Sequence, residues 1–396
     1  MQGACAPLLS FASVSCSSSV NSISPSLEKN PPKYTKNHTE DNISGLPLSE
    51  TALPKLLRDS GYATGWVGKW HLGASNDFHP MSRGFTDAFG FVGGGHQYFA
   101  EGLTNPKVEY LTPLQRNMVP LTETGYLTDI FGHEAITFVE KHSKEPFFLY
   151  LAFNCPHTPL QASEKYLSRV SQTITDTKRK TYAAMIIAQD DAVGALVQKL
   201  GELGIEENTL ICFISDNGGP IGEHGNGSSN GALRDGKGSV YEGGIRVPFF
   251  LRWKGTLPSG KEYPKPVISL DLTKTALALA GGKEADGKAM DGVNLIPFLQ
   301  DKQTGAPHEA LYWRTGGGDK YAVRSGALKL VKLKDKPAEL YDLASDVSES
   351  HDLSSTQPES LKILEALRVS WNAELIAPVF GGPSVRRTKD AKTGAK

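Results

Sequence analysis

The chain has 396 residues, 39% hydrophobic and 21% charged, with Lys+Arg 42 against Asp+Glu 43. This is an ordinary globular composition, long enough for one large domain with a smaller companion, and the balanced charge excludes the basic footprint of a nucleic-acid binder. No apolar run approaches the ~18 residues that span a bilayer. No Lys or Arg precedes Lys29 to start a signal peptide, and Cys5, Cys16, Cys155 and Cys212 are too scattered for a disulfide framework.

Residues 10–26 hold nine Ser in seventeen, without charge or period, and read as disordered or misplaced sequence. From Gly45 the character changes. Ser49 is placed to cap a helix over 50–59, with Leu53, Leu56 and Leu57 at helical spacing and Gly61 ending it. Residues 63–69 then read as a short strand. The pattern recurs, with a helix over 128–142 followed by the fully apolar run 147–153. A long helix over 178–200, with Tyr182, Met185, Ile186, Val193, Leu196, Val197 and Leu200 on one side, precedes the apolar run 209–215. Continuous apolar strands alternating with helices indicate an α/β domain around a mostly parallel sheet. From Pro307 shorter alternating strands follow, with Ser325-Gly326 as a turn and a closing helix over 359–375. They suggest a small α+β subdomain.

Three of the apolar strands run into reactive residues. The first leads to Lys69 and His71, the second to His157 in "NCPHTP", and the third to Asp216 and Asn217. In open α/β sheets, ligands bind outside the carboxyl ends of the strands. A glycine-rich stretch follows, with ten Gly among residues 217–244, carrying Arg234, Lys237 and Glu242. Such a loop lets backbone approach a ligand closely. Two lysines with two histidines favour a small oxyanion. The side-chain oxygens of Asp216 and Asn217 suit Ca²⁺, with Mg²⁺ the alternative, and do not suit Zn²⁺. Alone, each residue has a plainer role as a loop hydrogen-bonder or surface charge; their joint position after apolar strands makes them a site. Gly231–Lys237 matches the start of a phosphate-binding loop. However, Gly238 stands where Ser or Thr should hold Mg²⁺, no strand leads in, and "SVYEGGIRVP" does not read as a helix. It is a chance match.

"GYATGWVGKWHLG" resembles the second signature of the formylglycine-dependent sulfatases, and "CPHTP", "SDNGG" and "LRDGKGSVYEGGIRVP" resemble further blocks of that family, in its order. The resemblance implies an alkaline-phosphatase-like sandwich with a mostly parallel central sheet flanked by helices, plus a small C-terminal α+β subdomain. It implies that Lys69 and Lys237 bind the sulfate oxygens. His71 would hydrogen-bond the nucleophile and act as base, and His157 would protonate the leaving alcohol. Asp216 and Asn217 would be two ligands of Ca²⁺. The implied partner is an aryl or glycan sulfate ester, and the implied location periplasmic, secreted or lysosomal. A related phosphatase or phosphonate hydrolase would place Asp-His where Asp216-Asn217 stands, so Asn217 speaks against it. By themselves, Tyr98 and Phe99 in "GGGHQYF" read equally as a ring-stacking pair at the substrate entrance and as a core-packed aromatic pair.

The family pattern is incomplete upstream. Cys5-Ala6-Pro7 begins like the segment whose Cys becomes formylglycine, but Leu8-Leu9 stand where Ser-Arg belongs, and Cys16 is a weaker candidate. No strand ending in paired Asp residues precedes residue 45, and a central strand is expected to be missing. The expectation is therefore an incomplete or frame-shifted reading of a sulfatase sequence, impaired as this chain, with a non-catalytic binding relative as the rival. The domains are drawn as 1–44 irregular, 45–305 catalytic α/β, 306–380 C-terminal antiparallel sheet and 381–396 disordered tail.

Overall fold

The computed structural model describes residues 8–13, 45–99, 112–222, 225–285, 287–315 and 318–376, the first of these stretches through its backbone. In chain order the elements are β1 (Leu8–Ser13), α1 (Leu53–Asp59), β2 (Ala63–Lys69), β3 (Asp87–Phe91), β4 (Gln115–Arg116), β5 (Val119–Pro120), α2 (Leu127–His142), β6 (Phe147–Phe153), α3 (Glu164–Leu167), α4 (Thr177–Glu202), β7 (Leu210–Ser215), α5 (Glu242–Ile245), β8 (Phe249–Arg252), α6 (Leu270–Leu279) and α7 (Ile296–Leu299). Strands β9 (Leu311–Thr315), β10 (Lys320–Ser325), β11 (Leu328–Lys332), β12 (Ala338–Asp342) and helix α8 (Pro358–Ala373) complete the C-terminal part. The large sheet has the order β5-β4-β3-β2-β6-β1-β7-β8, parallel from β3 through β7 and antiparallel at both margins. The second sheet, β12-β11-β10-β9, is antiparallel throughout.

Helices cover both faces of the large sheet, because its central strands are apolar on both. In β6, Phe147, Leu149, Leu151 and Phe153 join the core formed with Phe131 and Phe138 of α2 and Met185 and Leu196 of α4. Phe148 points the other way, into a second core with Leu57, Trp66, Phe85, Ala276 and Ile296. This period of two on a buried strand is what a continuous apolar run encodes. No helix among the described residues is long and apolar enough to cross a membrane.

Several expectations are corrected. The central strand is present: β1 pairs in parallel with β6 (Leu8↔Phe148 to Ser13↔Phe153) and with β7 (Leu8↔Leu210 to Ser13↔Ser215). A strand between two parallel neighbours is held by backbone hydrogen bonds on both sides, so the serines that obscured it in the sequence do not forbid it. The rest of residues 1–44, including Cys5 and Cys16, and the tail 381–396 lie outside the described residues. Helix α1 starts at Leu53 with Ala52 as N-cap, not at Ser49, because Pro54 fits only a first helical turn. On α4 the buried face is Ala184, Met185, Ala188, Ala192, Leu196 and Leu200, and Ile186 is exposed. One short helical turn, α5, does form within "SVYEGGIRVP".

Close approach of backbones at β6, β2 and β3 demands glycine. Gly68 has φ +124°, and a Cβ there would lie 2.0 Å from the Ala152 carbonyl oxygen. Gly90 has φ +149°, and its Cβ would lie 1.9 Å from the Gly68 oxygen. Gly68→Ala is thus expected to lower stability by more than ~1 kcal/mol, read as a fall in the urea midpoint. An unchanged midpoint would mean that this packing is not as tight as drawn.

Candidate active site

The site starts from strand register. Gly68 pairs with Ala152, so Lys69 stands level with Phe153, and Phe153 is level with Ser13, which is level with Ser215. Strands β2, β6, β1 and β7 therefore end in one row. The residues that follow, His71, Asn154–His157 and Asp216-Asn217, emerge along one edge, as expected for ligand binding in an α/β sheet.

Lys69 is 1% exposed, an unusual place for an ammonium. Its backbone is held by the Trp66 indole, whose Nε1 donates to the Lys69 carbonyl at 3.3 Å. The chain then turns sharply. His71 has φ +56°, uncommon for a residue other than glycine, and its N–H donates to the Val92 carbonyl at 3.1 Å. The neighbouring Trp70 is pinned at its N–H by the Phe91 carbonyl and at its indole by the Phe78 carbonyl. A backbone strain so over-determined by its surroundings is typical of a functional position.

His157 lies in a turn closed by its own N–H donating to the Asn154 carbonyl at 2.8 Å. Its Nδ1 is 2.7 Å from the Thr158 carbonyl oxygen. A carbonyl can only accept, so Nδ1 carries the proton of the neutral ring and Nε2 is left as the acceptor. Tyr98 holds this turn from below. Its hydroxyl lies 2.7 Å from the Asn154 carbonyl and 3.0 Å from that of His157, and its N–H donates to Gln161 Oε1. Tyr98 is fully buried and Phe99 packs on Tyr126 at 5.4 Å, so Tyr98 braces the site and does not stack on a substrate. Its spacing gives no hint of this role, because its partner lies 59 residues away.

Asp216 and Asn217 continue β7 into the glycine-rich loop, which folds back upon itself. The Asn230 amide bridges it, with Oδ1 accepting from Gly219 N–H and Nδ2 donating to the Gly219 and Asp235 carbonyls. Lys237 N–H donates to the Gly219 carbonyl at 3.3 Å. A Cβ on Gly218 would lie 1.7 Å from the Gly243 oxygen, so this glycine is required. The result is a cleft of roughly 590 Å³ lined by His157, Asp216, Asn217, Lys237, Tyr182 and Arg246, within the usual range for ligand sites.

Electrostatics ties the parts together. Burial, and then the charges of Lys69 and the neighbouring His157 and Lys237, push the His71 imidazole down to about 4. Burial, Lys69 and Lys237 likewise push His157 down to about 4, against the opposing hydrogen bond to Thr158. Both lysines thus act on both histidines. The four residues share one positive neighbourhood with neutral imidazoles at pH 7, a setting that favours an anion.

The residues described do not make a calcium site. Asp216 and Asn217 are two donors where Ca²⁺ takes six to eight oxygens. Among the described residues no group of three or more His, Cys, Asp or Glu could hold a metal ion. The described cysteines also do not fit a formylglycine nucleophile. Cys155 and Cys212 are buried, and burial pushes both thiols up, Cys212 to about 12.

Comparison with known proteins bears on these blocks. The family model described as Sulfatase matches residues 3–282, and one described as N-sulphoglucosamine sulphohydrolase, C-terminal, matches residues 235–374. The chain is similar to the human N-acetylgalactosamine-6-sulfatase, 34% identical over 274 residues, covering 66% of this chain and 50% of the relative. It is 34% identical over 312 residues to the uncharacterized sulfatase YdeN of Escherichia coli K12, covering 72% of this chain and 53% of the relative. The chain thus spans about half the length of these two curated relatives. Human arylsulfatase A is 30% identical over 403 residues, covering 87% of this chain and 76% of the relative. Among solved structures, Ps i-CgsB in complex with k-i-k-neocarrahexaose superposes with TM-score 0.81 at 36% identity, covering 87% of this chain and 80% of that one.

The depressed histidines give a pH prediction. Their folded pKa lies below the unfolded 6.5, so between pH 6.5 and 4 the unfolded chain binds more protons, and stability falls as pH drops through that window. The buried His79 and His96, also held at about 4, act in the same direction. In an NMR titration His157 should titrate at about 4, and Lys237→Ala should move its midpoint upward. An unmoved midpoint would place Lys237 out of range.

Proposed function

This chain belongs to the sulfatase family, and on that premise we propose that it is a sulfuric ester hydrolase whose cleft takes the sulfate group of a glycan. The observation that carries the reading is that Lys69, at the end of β2, and Lys237, in the loop after β7, are both near enough to act on His71 and His157, with His157 and Lys237 lining the cleft and Lys69 and His71 beside it in the buried row. Two fixed ammonium groups suit the three peripheral oxygens of a sulfate monoester and oppose the charge that builds on them as the ester bond breaks. His157 lines the cleft, and a proton on its Nε2 would pass to the bridging oxygen as the ester bond breaks and the alcohol leaves. Buried and next to two lysines, the ring is neutral at pH 7 and its Nε2 carries no proton. A bound sulfate offsets those charges, so substrate itself raises the affinity of the ring for the proton the leaving alcohol needs. His71, held in its strained turn beside Lys69, serves the group that attacks sulfur. Neither described cysteine, both buried, is free to be that group.

The glycan side of the proposal leans on a similar protein. Ps i-CgsB, at 36% identity over most of both chains, is described in complex with k-i-k-neocarrahexaose, a carbohydrate ligand. Arg246 and Tyr182 at the cleft wall supply a cation and an aromatic face for a sugar chain.

A second reading, a sulfate-binding relative without turnover, is favoured by one observation. Strand β1 ends in Ser13, level with Ser215, where the family resemblance calls for paired carboxylates. Two measurements on the full chain separate the readings. Release of inorganic sulfate from sulfated oligosaccharides supports hydrolysis, whereas sulfate affinity without release supports binding alone. In both, Lys237→Ala is expected to weaken inorganic sulfate binding by about tenfold or more, the size of a lost charge-assisted hydrogen bond. Affinity should also rise as pH falls from 8 to 5, and His157→Gln should remove part of that slope. If Lys237→Ala binds sulfate as well as the parent chain, the oxyanion site is misassigned.

A further inference from the structure

The loop that carries Lys237 is anchored outside the α/β domain. Five residues after Lys237, Glu242 is 1% exposed, yet charged groups surround it. Lys329 of β11, fully buried, places Nζ 2.8 Å from Glu242 Oε1 and 2.8 Å from Glu349 Oε1. Glu349, also fully buried, uses its other oxygen to accept the Glu242 N–H at 2.7 Å. Arg324 of β10 lies 3.4 Å from Glu242 Oε2, and Arg246 lies 3.8 Å from it on the cleft side.

Three residues before Lys237, Arg234 makes a second attachment. Its Nη1 donates to the Tyr341 hydroxyl at 2.9 Å and to the Glu349 carbonyl at 2.6 Å. Its guanidinium lies 4.0 Å from the centre of the Tyr241 ring. Gly243 N–H donates to the Arg234 carbonyl at 2.8 Å, which closes the turn between the two anchors. Lys237 therefore sits on a short span tied at both ends to the C-terminal sheet. Glu349 adopts φ +52° to serve both anchors, a conformation that a non-glycine residue rarely takes.

A buried ion cluster is a weak way to add stability, because desolvation offsets most of the attraction; what it does supply is fixed geometry. The family model for the C-terminal unit begins at residue 235, inside this span, which fits a loop and sheet that act as one piece. The geometry points to Glu242, Lys329 and Glu349 as positioning residues for Lys237, through which the C-terminal sheet fixes where the loop presents its ammonium to a bound oxyanion. The inference rests on the reading that Lys237 binds sulfate.

The test uses the full chain, inorganic sulfate as probe in calorimetry, and hydrogen–deuterium exchange. Lys329→Met is expected to weaken sulfate binding about tenfold and to speed amide exchange across residues 234–244 about tenfold, with β2 and β6 amides unchanged. In a Lys237→Ala background, Lys329→Met should cause no further loss of sulfate affinity, whereas general destabilisation would still cause one. Should Lys329→Met fail to fold, the triple variant Glu242→Gln/Lys329→Met/Glu349→Gln removes every charge of the trio together and is read in the same way. Unchanged exchange over 234–244, or a full further loss in the Lys237→Ala background, overturns the proposal. If Lys237→Ala alone leaves sulfate affinity intact, it is the oxyanion reading that fails, and the exchange rates alone decide whether the anchors hold the loop.

Discussion

Four parallel strands that finish at the same level force whatever follows them into one shallow row, and the site depends on that register. Lys69, Phe153, Ser13 and Ser215 are level because the ladders β2–β6–β1–β7 run without interruption. The hydrogen bonds of these ladders join backbone groups, so Ser10 and Ser13 of β1 do not interrupt the row. A one-residue slip in β6 would exchange the side chains that fill the two cores, Phe147, Leu149, Leu151 and Phe153 on one face and Phe148 on the other, and break the packing of both. The register is therefore fixed by the cores on either side of the sheet, and the site inherits its precision from them.

On that row the electrostatics is cooperative. Burial first, and then the charges of Lys69 and Lys237, hold both imidazoles well below their ordinary range, so both rings are neutral near pH 7. An anion that enters between the lysines reverses the balance, since it offsets the charges that deprotonate the rings. Proton affinity and anion affinity are then one coupled quantity, and each ligand strengthens the other by the same factor. A tetrahedral sulfate needs no metal to feel this coupling; what further donors would add is charge on the oxygens, which Asp216 and Asn217 alone cannot arrange.

Much of this was legible in the sequence, and the failures have physical causes. Fully apolar runs such as Phe147–Phe153 announce a buried parallel strand unambiguously, and the polar residues immediately after them mark the edge where a site forms. Strand β1 was not legible because Ser10 and Ser13 merge it with the serine-rich run that follows, although Leu8, Leu9, Phe11 and Ala12 are apolar. The start of α1 was misjudged because Ser49 is a good cap, while Pro54 decided the first turn. For Tyr98 the sequence leaves ring stacking and core packing equally open, and burial decides for the core. Its true partners, the carbonyls of Asn154 and His157, are far away in sequence and leave no local trace.

The glycine-rich loop shows the same limit from the other side. Its composition announces close backbone approach, and Gly218 against the Gly243 oxygen is such a contact. Composition does not say what holds so permissive a chain in one shape, since every glycine adds conformational freedom that must be removed. The answer lies in Arg234 and Glu242 of the loop and Lys329 and Glu349 far along the chain, which come together where the C-terminal sheet packs on the loop. A change of texture near residue 307 marks where new strands begin, but the chain becomes mechanically part of the C-terminal unit earlier, at Arg234, where the first side chain reaches across. The lysine that lines the cleft is thus carried by the loop after β7 and, on the proposed reading, aimed by the C-terminal sheet, none of whose strands touches the cleft.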